Sequence, residues 1–286
     1  MTMLETAPDL SAQSEPNSRQ IPPYQVLFIG PYGFSGSTLV DLALAQAPEA
    51  CTTGEIFQLG RWLREDNLCT CRQRVSACSF WPPLLAGATL EEASRLYGPP
   101  AILDPRDDFR STALPDTAPW RRYSEAHWAL FDRIAEETGA RLIIDSSKHL
   151  WRLRALALLR PRRLQDLLLV RNPAVVARSA QVSKARPAQE GAAATPAVPY
   201  PKTLLKWILT NRATARFVAR AGIDHRYLAY ERFAAAPEAE LPPVAQWLGL
   251  SYDAAMARPA TAGHHNIAGS RWRMEKDFAE ITPSAD

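Results

Sequence analysis

The chain has 286 residues and a formal net charge of +3, so it can bury a large core as one big α/β domain or two small ones. That charge is too balanced to argue for a nucleic-acid partner, although it suits an anionic small molecule. No run of about eighteen apolar residues is present to cross a membrane. Twenty-four prolines exceed the usual share of about 5 % and imply many rigid connections.

Residues 1–23 carry Ser, Pro, Glu and Asp without an apolar period, and are expected to form a disordered N-terminal tail. They lack the basic start and apolar centre of a signal peptide, so the chain is read as cytoplasmic, with one folded domain over 24–286. Tyr24–Ile29 is an apolar run of strand length. Gly30-Pro-Tyr-Gly-Phe-Ser-Gly-Ser-Thr-Leu39 follows, and Leu39, Leu42, Ala43 and Gln46 then fall at helical spacing. Strand, glycine-rich turn and helix together make an anion site, because the first amides of a helix have no intrahelical acceptor and lie at the positive end of its dipole. Gly33 and Gly36 allow close backbone approach, and Ser35, Ser37 and Thr38 add hydroxyl donors. A nucleoside-triphosphate loop would end in Gly-Lys-Ser/Thr, whereas this one contains no lysine.

Cys51–Phe57 is a second strand or its exit, and Glu55 lies in it. Taken alone, Glu55 is a solvated loop carboxylate. Cys69, Cys71 and Cys78 follow with no histidine near them in sequence. Three thiols fall short of the four ligands of a structural zinc site, and a cytosolic disulfide is unpromising, so they are read as free thiols and no metal is expected. Helices are predicted over Thr89–Leu96 and Trp120–Thr138, the second stopped by Gly139. Arg141–Asp145 is an apolar strand opening into Ser146, Ser147 and Lys148, where a central parallel strand presents catalytic groups. The next helix carries Trp151, Leu153, Leu156 and Leu159, and Arg152, Arg154, Arg160, Arg162 and Arg163 are predicted to form its solvated face.

Leu167–Val170 is another buried strand and runs into Arg171-Asn-Pro173. Proline suits a first helical turn, and the helix begun there carries Ser179 about two turns along. Guanidinium and hydroxyl together suit a terminal phosphate, since arginine grips two oxygens in a planar fork. A low-complexity stretch over Arg186–Pro199 reads as a mobile loop at this face, a helix spans Lys202–Ala221, Arg226–Tyr230 is the last strand and Pro237–Leu248 the last helix.

Two of these motifs are informative together. Ser-Gly-Ser-Thr-Leu39 after a strand resembles the 5′-phosphosulfate loop of sulfotransferases that use 3′-phosphoadenosine 5′-phosphosulfate (PAPS). Arg171-Asn-Pro with Ser179 eight residues after the arginine resembles their 3′-phosphate motif. Gly54-Glu55 and Asp145-Ser-Ser-Lys148 are similar to bacterial and tyrosylprotein-type members. So are Tyr230-Glu-Arg-Phe, Pro237-Glu-Ala-Glu and Trp247-Leu-Gly-Leu250, and His265–Arg273 resembles the family's closing Gly-Asn-x-x-Arg loop, with Ser270 for asparagine. The resemblance spans roughly residues 24–275. It implies an α/β fold of P-loop-like sulfotransferase type, a single domain with a central parallel sheet flanked by helices. It implies PAPS as co-substrate, no metal, and a small-molecule acceptor bearing a hydroxyl or amine, without nucleic acid or membrane.

By the same resemblance, Gly33, Ser35, Gly36, Ser37 and Thr38 hold the 5′-phosphosulfate, and Arg171, Ser179 and Arg273 the 3′-phosphate. Glu55 matches the family's base, with His127, His149, His264 and His265 as rivals, and Lys148 its stabilising cation. One position departs. Phe34 stands where the family places lysine or arginine, so another cation, Lys148 first and Arg271 second, has to serve. Otherwise the chain binds nucleotide without transferring sulfate. A kinase of related architecture is disfavoured by the missing loop lysine. The sequence holds no code for the acceptor or the oligomeric state.

Overall fold

A computed structural model describes residues 23–101, 103, 104, 106, 109, 111–185, 199–270, 274 and 281, with backbone alone for 182–185. The predicted tail up to residue 22, the Arg186–Pro199 loop up to residue 198, Arg271 and Arg273 lie outside the described residues. Five strands form one parallel sheet: β1 (Gln25–Gly30), β2 (Ala50–Thr52), β3 (Leu142–Asp145), β4 (Leu164–Val170) and β5 (Asp224–Ala229). Their order is β2-β3-β1-β4-β5. Ten helices connect or flank them among the described residues: α1 (Ser37–Leu44), α2 (Leu59–Glu65), α3 (Trp81–Leu84), α4 (Leu90–Leu96), α5 (Ala118–Thr138), α6 (Leu150–Ala157), α7 (Pro173–Ala185), α8 (Tyr200–Ala221), α9 (Tyr230–Ala235) and α10 (Pro237–Leu248).

The apolar runs are continuous because both faces of the sheet are covered. Along β1 the side chains alternate. Val26 and Phe28 join Leu59, Phe131, Leu153 and Phe217 in one core, while Leu27 and Ile29 join Val40, Phe233 and Leu241 in the other. The chain leaves β1 for the sheet's edge at β2, returns beside β1 as β3, then crosses to its other side as β4. The strand order therefore reverses at β1, and open parallel sheets bind ligands at the carboxyl ends of the strands where this happens.

Two expectations need correction. The last strand starts at Asp224 and ends at Ala229, and Tyr230 begins α9. More important, Arg152 and Arg154 of α6 are buried, not solvated. Arg152 donates from Nε to Asp145 Oδ2 at 2.7 Å and from Nη1 to the Tyr123 hydroxyl, and both members of its ion pair are fully buried. Asp145 also accepts from the Ser147 amide at 3.0 Å. It is thus spent on fixing the turn after β3. Arg154 reaches the carbonyl of Ala113 at 2.6 Å. A charge inside a protein has to be matched this way, and removing one partner of such a pair costs about 3–5 kcal/mol.

Candidate functional site

The loop between β1 and α1 is built from both sides. Gly36 is the N-cap of α1 at φ 88°, and no side chain caps the helix, so its first amides stay available to an anion. A Cβ on Gly36 would stand 2.1 Å from Cε2 of Tyr230, and only glycine fits. Gly33 differs: a Cβ there meets nothing within 4 Å. Arg171, at the end of β4, donates from Nη1 to the Phe34 carbonyl at 2.9 Å and lies 4.4 Å from the centre of the Tyr230 ring. Arg171, Tyr230 and Gly36 therefore pin the loop against the start of α9. Ser35 and Ser37 are buried, and Ser35 Oγ has no hydrogen-bond partner among the described residues. Thr38 Oγ1 accepts from the amide of Ser270 at 3.4 Å.

The carboxyl ends of β2 and β3 bring Glu55 and Lys148 together, although the sequence separates them by 93 positions. Gly54, at φ 67°, pairs with Ile267, and the Glu55 amide donates to the Ile267 carbonyl at 2.7 Å. The Gly54 carbonyl in turn accepts from the Ser146 amide at 2.9 Å. With its backbone fixed, Glu55 receives an ion pair from Lys148 Nζ, and the two side chains are 21% and 10% exposed. Lys148 and Phe34 both have positive φ, 68° and 64°. Non-glycine residues in that region carry strain, which collects at ligand sites and switches.

Asp41 on α1, which the sequence did not single out, organises the floor of this region. Fully buried, it accepts from Thr52 Oγ1, from Ser146 Oγ at 3.0 Å and from Asn266 Nδ2 at 3.5 Å. It thereby ties α1 to the ends of β2 and β3 and to the segment before Ile267. Burial pushes its carboxyl up to about 7, against the downward pull of the Thr52 and Ser146 hydrogen bonds and the Lys148 charge. The folded state therefore keeps a proton that the unfolded chain releases near pH 4. The stability Asp41 contributes is complete below about pH 4 and is lost as pH rises through about 7. Urea midpoints of the parent should fall relative to those of Asp41→Asn between about pH 4 and about pH 7, and parallel profiles for the two proteins would refute the assignment.

Other predicted residues are placed as follows. Ser179 is half-buried on α7, seven residues beyond Asn172, whose Oδ1 accepts from the Ala174 amide at 2.9 Å as an N-cap does. His127 is buried, with Nδ1 against the Tyr123 carbonyl at 2.9 Å, and burial holds it neutral well below its usual range. His264 faces Gln46 Nε2 at 3.2 Å. His149 stands at the N-cap of α6, edge-on to Phe57 at 4.7 Å and stacked on Trp151 at 5.9 Å. His265 lies instead among Cys69, Cys71 and Cys78, although the sequence sets it far from all three.

No family model matches the chain, and no curated protein matches it. A solved sulfotransferase domain from the curacin biosynthetic pathway is similar at 14% identity, with a TM-score of 0.51 over 91% of this chain and 84% of that one. A sulfotransferase domain from the Synechococcus PCC 7002 olefin synthase is matched at 15% identity and a TM-score of 0.42, over 91% of this chain and 82% of that one. With the first of these the chain shares its fold, a parallel five-stranded sheet flanked by helices.

Proposed function

We propose that this protein transfers a sulfuryl group from PAPS to a hydroxyl or amine of a small-molecule acceptor. The observation that carries the reading is the Lys148–Glu55 pair. It stands at the carboxyl end of β3, linked through Ser146 and Asp41 to the helix that opens behind the glycine loop. The residues present fit an anionic donor: α1 is uncapped, Ser35 Oγ is a buried hydroxyl with a hydrogen bond still to make, and the space above Gly33 is open. PAPS supplies the sulfuryl group. Gly33, Ser35, Gly36, Ser37 and Thr38 hold its 5′-phosphosulfate, and Arg171 with Ser179 and Arg273 its 3′-phosphate. Glu55 takes the acceptor's proton, and Lys148 stabilises the negative charge that grows during transfer. No metal takes part in this transfer. A cytoplasmic location belongs to the same reading; among the described residues no helix is long and apolar enough to cross a membrane.

A second reading, nucleotide binding without turnover, is favoured by Phe34, which leaves the loop without a cation. Both readings require a 3′-phosphate site, so binding is tested first. Adenosine 3′,5′-bisphosphate should raise the melting temperature, because a ligand of the folded state stabilises it, and AMP should do so much less. Arg171→Ala should weaken bisphosphate binding by about 1.5–3 kcal/mol, the scale of a hydrogen bond to a charged group. Gly33→Ala should melt like the parent when free yet lose affinity, since its methyl would occupy the approach to the loop. Equal shifts with AMP and the bisphosphate would remove the 3′-phosphate assignment. Radiolabelled PAPS with a panel of hydroxyl and amine acceptors then separates the readings: bisphosphate binding without transfer to any of them favours the second.

A further inference from the structure

Three thiols and an imidazole meet beside the segment that fixes Glu55. Cys69, Cys71, Cys78 and His265 each offer one ligand atom, and the four atoms lie within 4.8 Å of one another. Cys71 Sγ is 3.6 Å from Cys78 Sγ. His265 Nδ1 is 3.8 Å from Cys69 Sγ and 3.2 Å from Cys78 Sγ. A tetrahedral zinc ion with Zn–S bonds of about 2.3 Å sets neighbouring sulfurs about 3.8 Å apart and a sulfur–nitrogen pair slightly closer. The cluster therefore has the size of a zinc shell. A disulfide needs sulfurs about 2.05 Å apart, and all four cysteines are free.

The local chain presents the ligands on purpose-built turns. Cys69 and Cys71, two positions apart, straddle a tight reversal in which the Cys69 amide donates to the Gln73 carbonyl and the Arg72 amide to the Cys69 carbonyl, both at 2.9 Å. Arg72 takes φ 67° there. The Phe80 ring stacks on the His265 imidazole at 5.0 Å and 4°, and Trp81 Nε1 donates to the His265 carbonyl at 3.0 Å. Thr70 Oγ1 donates to the next carbonyl, that of Asn266, at 3.0 Å. The imidazole is thus aimed from both sides, with Nδ1 toward the sulfurs.

We propose that Cys69, Cys71, Cys78 and His265 bind one structural zinc ion. Three cysteines and one histidine form a closed set for this metal, leaving no position for substrate. The ion fastens the 69–78 loop to His265, two residues before the Ile267 that pairs with Gly54 and accepts from the Glu55 amide. Zinc here would hold the site's frame without touching reactants. The proposal does not depend on the sulfuryl-transfer reading.

The full chain, expressed in zinc-supplemented medium and dialysed, should carry one zinc per chain by elemental analysis. Exchange for cobalt(II) should give the visible absorption of a tetrahedral ion with thiolate charge-transfer bands. His265→Cys should retain the metal with added thiolate intensity, whereas His265→Ala and Cys71→Ser should bind it weakly. Chelation of the parent should lower its melting temperature by about 5 °C or more. Because His265→Cys keeps four ligands, it reports on the site even if the alanine variant misfolds. Metal-free protein without a cobalt spectrum would overturn the proposal, as would a Cys71–Cys78 disulfide in the protein as isolated. Zinc retained undiminished in both Cys71→Ser and His265→Ala would overturn it too, by placing the ion elsewhere.

Discussion

Glu55→Gln is expected to lower kcat by about 10²–10⁴, the span for loss of a general base, with bisphosphate affinity close to the parent's. Glutamine keeps the shape and can still accept from Lys148 through its amide oxygen, but it cannot take the acceptor's proton. The backbone should not move, because the Glu55 amide stays bound to the Ile267 carbonyl. A purely structural role would show as lost stability and weaker donor binding together. A base role shows as lost kcat with both retained. Near-normal turnover would move the role to His149, the residue after Lys148, and His149→Ala would then carry the deficit.

The fold was legible because each central strand is an apolar run ending in a polar turn, the pattern of a strand buried on both faces. Glu55 and Lys148 could each be marked as strand-exit residues, but their pairing depends on β2 lying beside β3, which only the sheet order decides. Arg152 and Arg154 were misread because a helical arginine usually faces water. The exception needs a buried partner, and Asp145 belongs to the preceding strand, which nothing in the helix itself reveals. The cluster of three cysteines and His265 was missed for a different reason. Cys78 and His265 are 187 positions apart, so local spacing could not complete the set. Asp41 left no local signal either. It sits among apolar residues of α1, and its partners Thr52, Ser146 and Asn266 come from three other segments. A helical aspartate set between Val40 and Leu42 was the one hint available.

Lys148→Ala should cost about 10²–10³ in kcat, comparable to removing one oxyanion-hole donor, with little change in bisphosphate affinity. In an in-line transfer, charge grows on the bridging and sulfuryl oxygens as the transition state forms, so a positioned ammonium lowers the barrier more than it aids ground-state binding. The structure supplies the positioning: Lys148 follows directly on the turn that Asp145, Arg152 and Ser147 fix, and Glu55 restrains its Nζ. Because the pair is mutual, Lys148→Ala and Glu55→Gln should be less than additive in ΔΔG‡, each alone disturbing the other's placement. Phe34→Arg in the Lys148→Ala background then asks whether the two positions address the same oxygens. Position 34 already holds a non-glycine residue at φ 64°, and its carbonyl is fixed by Arg171. The exchange therefore adds charge at nearly constant backbone strain, and partial recovery of kcat is expected. If Lys148→Ala instead abolishes bisphosphate binding while the residual complex turns over at the parent's rate, Lys148 is a binding residue, and Arg271 is the next cation to replace.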